Sequence, residues 1–493
     1  MFEAAELGHR IDKKTYKAEQ PALREALLKA QFKLAESRAF PVIILIGGVD
    51  GTGKGPTVNT LNEWMDPRLI ETNGMGAATD EEDERPYMWR FWRALPPRGK
   101  IGIFFGSWYT RPIIDRVCDK SDDGDLERQL DEIIRFETML AAEGALIMKF
   151  WFHLSKTSQK RRLKTLEKDR HNRWRVTDKD WERLRMYDAF RSVSELALRR
   201  TNRGHAPWIV VEGLDAFYRN ITVGRTLLAA LNDRLEGEPP KFGLAAPPPI
   251  PSADGREVLD SVDLTASIPK KDYEKRLIEL RGRLNLLSRN KHFRKRALVA
   301  VFEGHDAAGK GGSIRRVTAA LDARFCRVVR IAAPTEEERL HPYLWRFWRH
   351  IPRHGHMTIF DRSWYGRVLV ERVEGFAAEY DWMRAYGEIN DFEETLANHG
   401  IIVAKFWLTI DRDEQNRRFE ERRTTGYKRY KLTDEDLRNR ARWDDYYHAI
   451  GDMVEQTSTS VAPWTLVAAN DKRHARITVL ETLCQRLEHA FDR

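Results

Sequence analysis

The chain has 493 residues, 42% hydrophobic and 32% charged, with 84 basic against 75 acidic side chains and a formal net charge of +9. That length exceeds one typical domain, no apolar run approaches the roughly 20 residues of a membrane span, and the acidic opening Met1-Phe-Glu-Ala-Ala-Glu lacks the apolar stretch of a secretory signal. Three scattered cysteines, Cys118, Cys326 and Cys484, have neither metal-ligand spacing nor an even count for a disulfide framework, so a soluble cytoplasmic protein is expected, and the positive charge favours a polyanionic partner.

In chain order, a charged amphipathic stretch from Pro21 to Glu36 reads as a helix, and the apolar run Val42 to Ile46 reads as a buried parallel strand. A glycine-rich turn follows, Gly48-Val-Asp-Gly-Thr-Gly-Lys-Gly55. Further strands fit Ile101 to Phe105, Ala145 to Trp151 and Trp208 to Val211, with helical patterns between them. Lys160, Arg161, Arg162, Lys164, Lys168, Arg170 and Arg173 make a basic stretch after the third of these four strands. From Glu236 to Arg256 the chain collects Pro239, Pro240, Pro247, Pro248, Pro249 and Pro251, a composition that resists both helix and sheet.

The same order then returns 256 residues later. A helix from Tyr273 to Ser288 precedes the strand Ala297 to Phe302 and the turn Gly304-His-Asp-Ala-Ala-Gly-Lys-Gly311, with a helix expected from near Ser313. Strands at Met357 to Phe360, Ile401 to Trp407 and Trp464 to Val467 follow. Pro86-Tyr-Met-Trp-Arg-Phe-Trp92 matches Pro342-Tyr-Leu-Trp-Arg-Phe-Trp348, and Lys149-Phe-Trp151 matches Lys405-Phe-Trp407. Two copies of one domain are expected, residues 1–235 and 257–493, joined by a linker at 236–256. Strands alternating with helices imply a parallel sheet covered by helices, with ligands at the carboxyl ends of the strands. The fold class is α/β, two tandem P-loop kinase-like domains, each with a basic lid.

The copies differ where chemistry would need a charge. Phe360-Asp-Arg-Ser-Trp-Tyr365 in the second half stands against Phe104-Phe-Gly-Ser-Trp-Tyr109 in the first, so Asp361 and Arg362 answer to Phe105 and Gly106. The second half reads as catalytic and the first as degenerate, with Asp50 and Lys54 left from its loop.

Gly304, Gly309, Lys310, Gly311, Gly312 and Ser313 form the phosphate cradle. Small residues let backbone N–H groups approach phosphate oxygens, the helix N-terminus adds partial positive charge, and Lys310 adds a full one. An ordinary P-loop places Ser or Thr after the lysine to ligate magnesium, but Gly311 and Gly55 stand there. Asp306 inside the loop and Asp361 at the end of a core strand are the substitute ligands for a hard cation. Arg367 follows in the same segment, and Arg346 is placed to meet a phosphate, whereas helical spacing puts most of the neighbouring aromatics in the core. The run from Asp411 to Lys431 is dense in bases. Arg417, Arg418, Arg422, Arg423, Lys428 and Lys431 read as a lid closing over an anionic substrate. A solvated helix with internal ion pairs is the alternative for that run.

Glu303-Gly-His-Asp-Ala-Ala-Gly-Lys-Gly-Gly312, Tyr343-Leu-Trp-Arg346, Phe360-Asp-Arg-Ser-Trp-Tyr-Gly-Arg367 and the arginine-rich lid together resemble the family-2 polyphosphate kinases, over almost all of both halves. The tandem arrangement is similar to the fused polyphosphate:AMP phosphotransferases. The resemblance implies Mg2+-dependent transfer of a terminal phosphoryl group between inorganic polyphosphate and an adenine nucleotide, AMP giving ADP. It puts the loop pair on Asp306 and Lys310, the second-motif pair on Asp361 and Arg362, and the lid on Arg417 to Lys431. Polyphosphate-dependent phosphorylation of ADP, an ATP-dependent nucleoside monophosphate kinase and a non-enzymatic polyphosphate-binding protein are the alternatives. No nucleic-acid module is evident. The two related domains on one tether mimic a dimer, and the sequence leaves room for self-association.

Overall fold

A computed structural model describes residues 1–171, 173–237, 257–426, 430 and 434–492. Ten strands form two five-stranded parallel sheets. In the first half these are β1 (Val42–Gly48), β2 (Ile70–Gly74), β3 (Ile101–Phe105), β4 (Leu146–His153) and β5 (Trp208–Glu212), in the order β2-β3-β1-β4-β5. In the second they are β6 (Ala297–Gly304), β7 (Cys326–Arg330), β8 (Met357–Asp361), β9 (Ile401–Thr409) and β10 (Trp464–Ala468), in the equivalent order β7-β8-β6-β9-β10. Each P-loop strand is central, β1 between β3 and β4, β6 between β8 and β9. A strand sheltered on both faces must be apolar throughout, and Val42 to Ile46 and Ala297 to Phe302 are all at most 1% exposed.

Helices cover both sheets. Lys13–Ser37 packs beside Ala216–Glu236 in the first half, and Lys270–Ser288 beside Lys472–Phe491 in the second. Their apolar stripes complete two cores, one around Leu27, Leu34, Ile44, Phe150 and Leu227, the other around Leu284, Ala300, Phe406, Leu480 and Leu487. The first helix begins eight residues before the expected Pro21, because Asp12 caps it by accepting from Lys14 N at 2.8 Å and Thr15 N at 3.0 Å. The helix after the second loop begins at Lys310, three residues before Ser313.

The compact units depart from a simple cut at the linker. One comprises the described parts of Met1–Ala78, Arg90–Phe242 and Thr335–Trp345; the other comprises those of Thr79–Trp89, Gly243–Pro334 and Arg346–Arg493. The proline-rich segment lies outside the described residues, apart from its first two positions.

Both copies keep one buried network, made by the motifs that repeat most clearly. Lys405 Nζ, 0% exposed, donates to Glu393 Oε2, Tyr365 OH and the Thr457 carbonyl, each at 2.7 Å, and Trp364 Nε1 donates to Glu393 Oε1 at 3.0 Å. Lys149, Glu137, Tyr109, Thr201 and Trp108 repeat it in the first half. The Ser-Trp-Tyr and Lys-Phe-Trp segments therefore serve the core; a buried lysine is tolerable because its charge is paired and its protons are placed.

Candidate active site

The second-half loop leaves β6 through a backbone that few residues can follow. Gly304 has φ 145°, and a Cβ there would lie 2.4 Å from the Leu408 carbonyl oxygen. Ala307 (φ 65°) and Gly309 (φ 110°) are also left-handed, and Gly309 caps the helix Lys310–Thr318. Lys310 Nζ folds back onto the Gly304 carbonyl at 2.6 Å and the His305 carbonyl at 3.3 Å. Gly312 and Ser313, both expected in the cradle, direct their N–H groups to the Gly309 carbonyl at 2.9 and 3.1 Å, so these two amides close the first helical turn. Gly311 has open space where a side chain would stand.

A cavity opens over this loop. Asp306, Lys310 and Arg362 line its polar side; Leu369, Val370, Trp443 and Tyr446 give it an apolar wall. Asp306 Oδ1 accepts from Arg362 Nη2 at 3.2 Å and Oδ2 from Asn439 Nδ2 at 2.8 Å. Burial alone would raise the Asp306 pKa, but the Lys310 and Arg362 charges and the Asn439 hydrogen bond outweigh it and hold the carboxylate below its ordinary value. Asp306 is therefore an anion at neutral pH.

Asp361 ends β8, paired in register with Phe302, and is not one of the residues lining the cavity. Arg362, next in the chain, has φ 64°, a left-handed conformation that costs a non-glycine residue about 1–2 kcal/mol. Its first-half counterpart Gly106 holds φ 81° without that cost. Arg367 faces Glu371 at 3.4 Å. Arg346 is 7% exposed and donates to the Ala332 carbonyl at 2.8 Å, while Trp345, Phe347 and Trp348 are all buried.

Four of the expected lid bases lie on the helix Arg412–Thr424, with different fates. Arg417 and Arg423 are solvated, on Glu414 at 2.6 Å and Glu420 at 2.8 Å, and Arg422 faces Asp436 at 3.6 Å. Arg418 is not a lid group. It is 3% exposed, and its five N–H donors meet the carbonyls of Ala307, Ala308, Ala469 and Asn470 and the Glu414 carboxylate at 2.5–2.9 Å. The planar fork fits this set and clamps the P-loop from beneath. Lys428 and Lys431 lie outside the described residues.

Several residues at the site had no role assigned from sequence. Glu303, buried, accepts from Ser363 Oγ at 2.8 Å, and burial pushes its carboxyl up despite Lys310 nearby. His305 stacks on Trp443 at 4.6 Å and 7°, and burial followed by the Lys310 charge lowers its pKa to about 4. Gln415 Nε2 donates to the Asp306 carbonyl at 3.2 Å.

The first-half loop keeps the backbone and changes the partners. Gly48, Gly51 and Gly53 have φ 125°, 80° and 86°. Asp50 pairs with Lys54 at 3.2 Å and Arg183 at 2.9 Å. The buried guanidinium on the loop comes from Arg219, in the helix Ala216–Glu236, bonded to the Thr52 carbonyl at 3.1 Å and Thr57 Oγ1 at 2.7 Å.

Comparison with known proteins agrees with the duplicated fold. The polyphosphate:AMP phosphotransferase of Pseudomonas aeruginosa is 58% identical over 492 residues, covering 100% of this chain and 99% of that one. That of Acinetobacter johnsonii is 36% identical over 94% of this chain and 95% of its own. A crystal structure of a polyphosphate kinase 2 from Pseudomonas aeruginosa superposes with a TM-score of 0.90 at 55% identity, covering 100% of this chain and 99% of that one. The Polyphosphate kinase 2 family pattern matches residues 10–239 and 267–492. With both P-loop sheets matched along nearly their whole length, the chain belongs to the polyphosphate kinase 2 family and carries its domain twice.

Proposed function

We propose that the chain transfers a terminal phosphoryl group from inorganic polyphosphate to AMP, giving ADP, and that its second half performs the transfer. The observation that carries the assignment to that half is the meeting of Asp306, Lys310 and Arg362 at one cavity, where the first half has Gly106 in place of the arginine. The full-length relatives named polyphosphate:AMP phosphotransferase support the substrates.

Loop amides and Lys310 would hold phosphoryl oxygens of the polyphosphate end, with Lys310 exchanging its two loop carbonyls for them. Arg362, 38% exposed, reaches the same cavity and would stabilise charge on the transferring group. The wall of Leu369, Val370, Trp443 and Tyr446 suits the acceptor nucleoside. An AMP phosphate oxygen is already ionised at neutral pH, so positioning and charge carry the reaction and no strong general base is needed. Ionised Asp306 is a hard-oxygen donor of the kind that holds Mg2+, which takes one or two carboxylates and completes its shell with water and substrate phosphates, and Asp361, at the end of the neighbouring strand β8, would be the second carboxylate. When bound, Mg2+ would neutralise phosphate charge.

The test supplies the protein with Mg2+, long-chain polyphosphate and either AMP or ADP, with ATP plus AMP as control. ADP formed from AMP without ATP is the expected result. Phosphorylation of ADP alone would move the acceptor, activity only in the control would make the chain an ATP-dependent monophosphate kinase, and silence throughout would favour a binding role. Asp361→Ala should abolish the transfer while Asp50→Ala leaves most of it; the reverse would refute the assignment to the second half.

A further inference from the structure

We infer that the residue at position 439, and its counterpart at 183, decides which half of the chain accepts a divalent cation at its loop carboxylate: Asn439 leaves Asp306 open to one, and Arg183 closes Asp50. The inference rests on the transfer reading only for the cation's purpose; the exclusion itself follows from charge.

The duplication supplies an internal control. Both loops present their aspartate on the same left-handed backbone, and both fix that residue's carbonyl from the same glutamine, Gln159 Nε2 to Asp50 O at 3.1 Å and Gln415 Nε2 to Asp306 O at 3.2 Å. What differs is the charge that meets the carboxylate. At Asp50, Oδ1 receives the Lys54 ammonium and Oδ2 the Arg183 guanidinium, so two cations close on one anion. Both lysines donate to two loop carbonyls, Lys54 to those of Gly48 and Val49 and Lys310 to those of Gly304 and His305, but Lys54 also bonds Asp50, whereas Asp306 Oδ2 receives a neutral amide from Asn439. The amide's orientation is set by Tyr446, whose hydroxyl donates to Asn439 Oδ1 at 3.0 Å and leaves Nδ2 for the carboxylate.

Among the described residues two cations bear on Asp306 as well, Lys310 through its charge and Arg362, on the strand-end turn, through Oδ1. Arg362 and Arg183 are both partly solvated, 38% and 55% exposed, so what separates the two carboxylates is the partner of the second oxygen. The guanidinium facing the loop carboxylate thus comes from the strand-end turn in the second half and from the helix Asp178–Arg185 in the first, where Gly106 offers none. A hard dication approaching Asp50 meets a carboxylate already neutralised on both oxygens. One approaching Asp306 meets a carboxylate with an uncharged partner on one oxygen, and an amide adds no repulsion.

The test is a Mn2+ titration of the full chain, read as the electron paramagnetic resonance of free Mn2+, without nucleotide or polyphosphate. Asp50→Ala is expected to leave binding unchanged. Asn439→Arg is expected to weaken it at least about tenfold, whereas Asn439→Ala, which removes the hydrogen bond and adds no charge, shifts it by less than about threefold. Asn439→Lys places a smaller cation on the same helix and is expected to repeat the loss if the arginine variant does not fold. Equal weakening by the alanine and the cationic variants, loss of binding in Asp50→Ala, or no Mn2+ binding by the unmodified chain at millimolar concentration would each overturn the inference. The AMP assay judges the transfer reading separately, since unmodified protein can form ADP whichever way the Mn2+ series falls.

Discussion

Arg362 combines a backbone cost with a charge, and two substitutions separate them. Arg362→Ala and Arg362→Gly both remove the guanidinium from Asp306, so loss of the 3.2 Å contact is common to the pair. They differ at φ 64°. Alanine keeps the left-handed strain of about 1–2 kcal/mol, while glycine relieves it and costs roughly 0.5–1 kcal/mol through its freer unfolded chain. The difference leaves Arg362→Gly more stable than Arg362→Ala by about 0.5–1 kcal/mol, the reverse of the order expected inside a helix. Chemical denaturation followed by tryptophan fluorescence in the second half's transition measures it. Transfer to AMP should fall in both variants by the same factor, about 10²–10³, the usual cost of removing one donor to a developing anion. An alanine variant as stable as the glycine variant would refute the strain argument, and either variant keeping more than about a tenth of the activity would refute the role of the charge.

The buried network predicts that Lys405→Met destabilises the second half by about 3–5 kcal/mol, because Glu393 would be left as an unpaired anion at 0% exposure; urea unfolding checks this, and a loss near zero would contradict it. Arg418→Lys should cost both stability and activity, since an ammonium cannot meet four carbonyls and a carboxylate, while Arg423→Ala, on a solvated pair with Glu420, should change stability by less than about 0.5 kcal/mol and act on KM for polyphosphate. His153, 1% exposed, has its pKa lowered by burial despite Glu6 at 2.7 Å. The unfolded chain therefore takes up the proton first as pH falls through about 6.5. The stability His153 provides is full above that pH and is lost below it; His153→Asn should flatten this part of the pH–stability curve, and an unchanged slope would show that His153 does not set it.

Local spacing made the P-loop, its aspartate and lysine, and the Asp361-Arg362 difference legible, because each is a short run on or beside a core strand. The central strands read equally well as apolar runs. Of the edge strands, β5 and β10 read as apolar runs, but β2 and β7 did not, since Ile70–Gly74 and Cys326–Arg330 mix Glu, Asn and Arg with single buried residues. Asn439 escaped because it reaches Asp306 across 133 residues, and a neutral amide in a charged helix has no pattern of its own. Arg418 was legible as a charge and misplaced as a lid group. Composition cannot tell a guanidinium in water from one whose every donor finds a carbonyl, and Arg417, its neighbour, is 62% exposed on the same helix.

Placing the Asp-Arg pair in the first half meets two obstacles in the structure. Phe105→Asp with Gly106→Arg would restore the second half's motif. At Gly106, however, a Cβ would lie 2.5 Å from the Met75 carbonyl oxygen, a backbone atom, at φ 81°. The new arginine would also find Asp50 already paired with Lys54 and Arg183. Gly106 and Arg183 therefore suit one another: with Arg183 on the loop carboxylate, a strained arginine at 106 would have nothing to hold. In an Asp361→Ala background, where the second half is silenced, the double substitution should restore no transfer to AMP and should destabilise the first half by about 1–3 kcal/mol from strain and close contact. Recovery of activity from those two changes alone would refute this reasoning, since Arg183 and the Met75 contact would then have yielded readily.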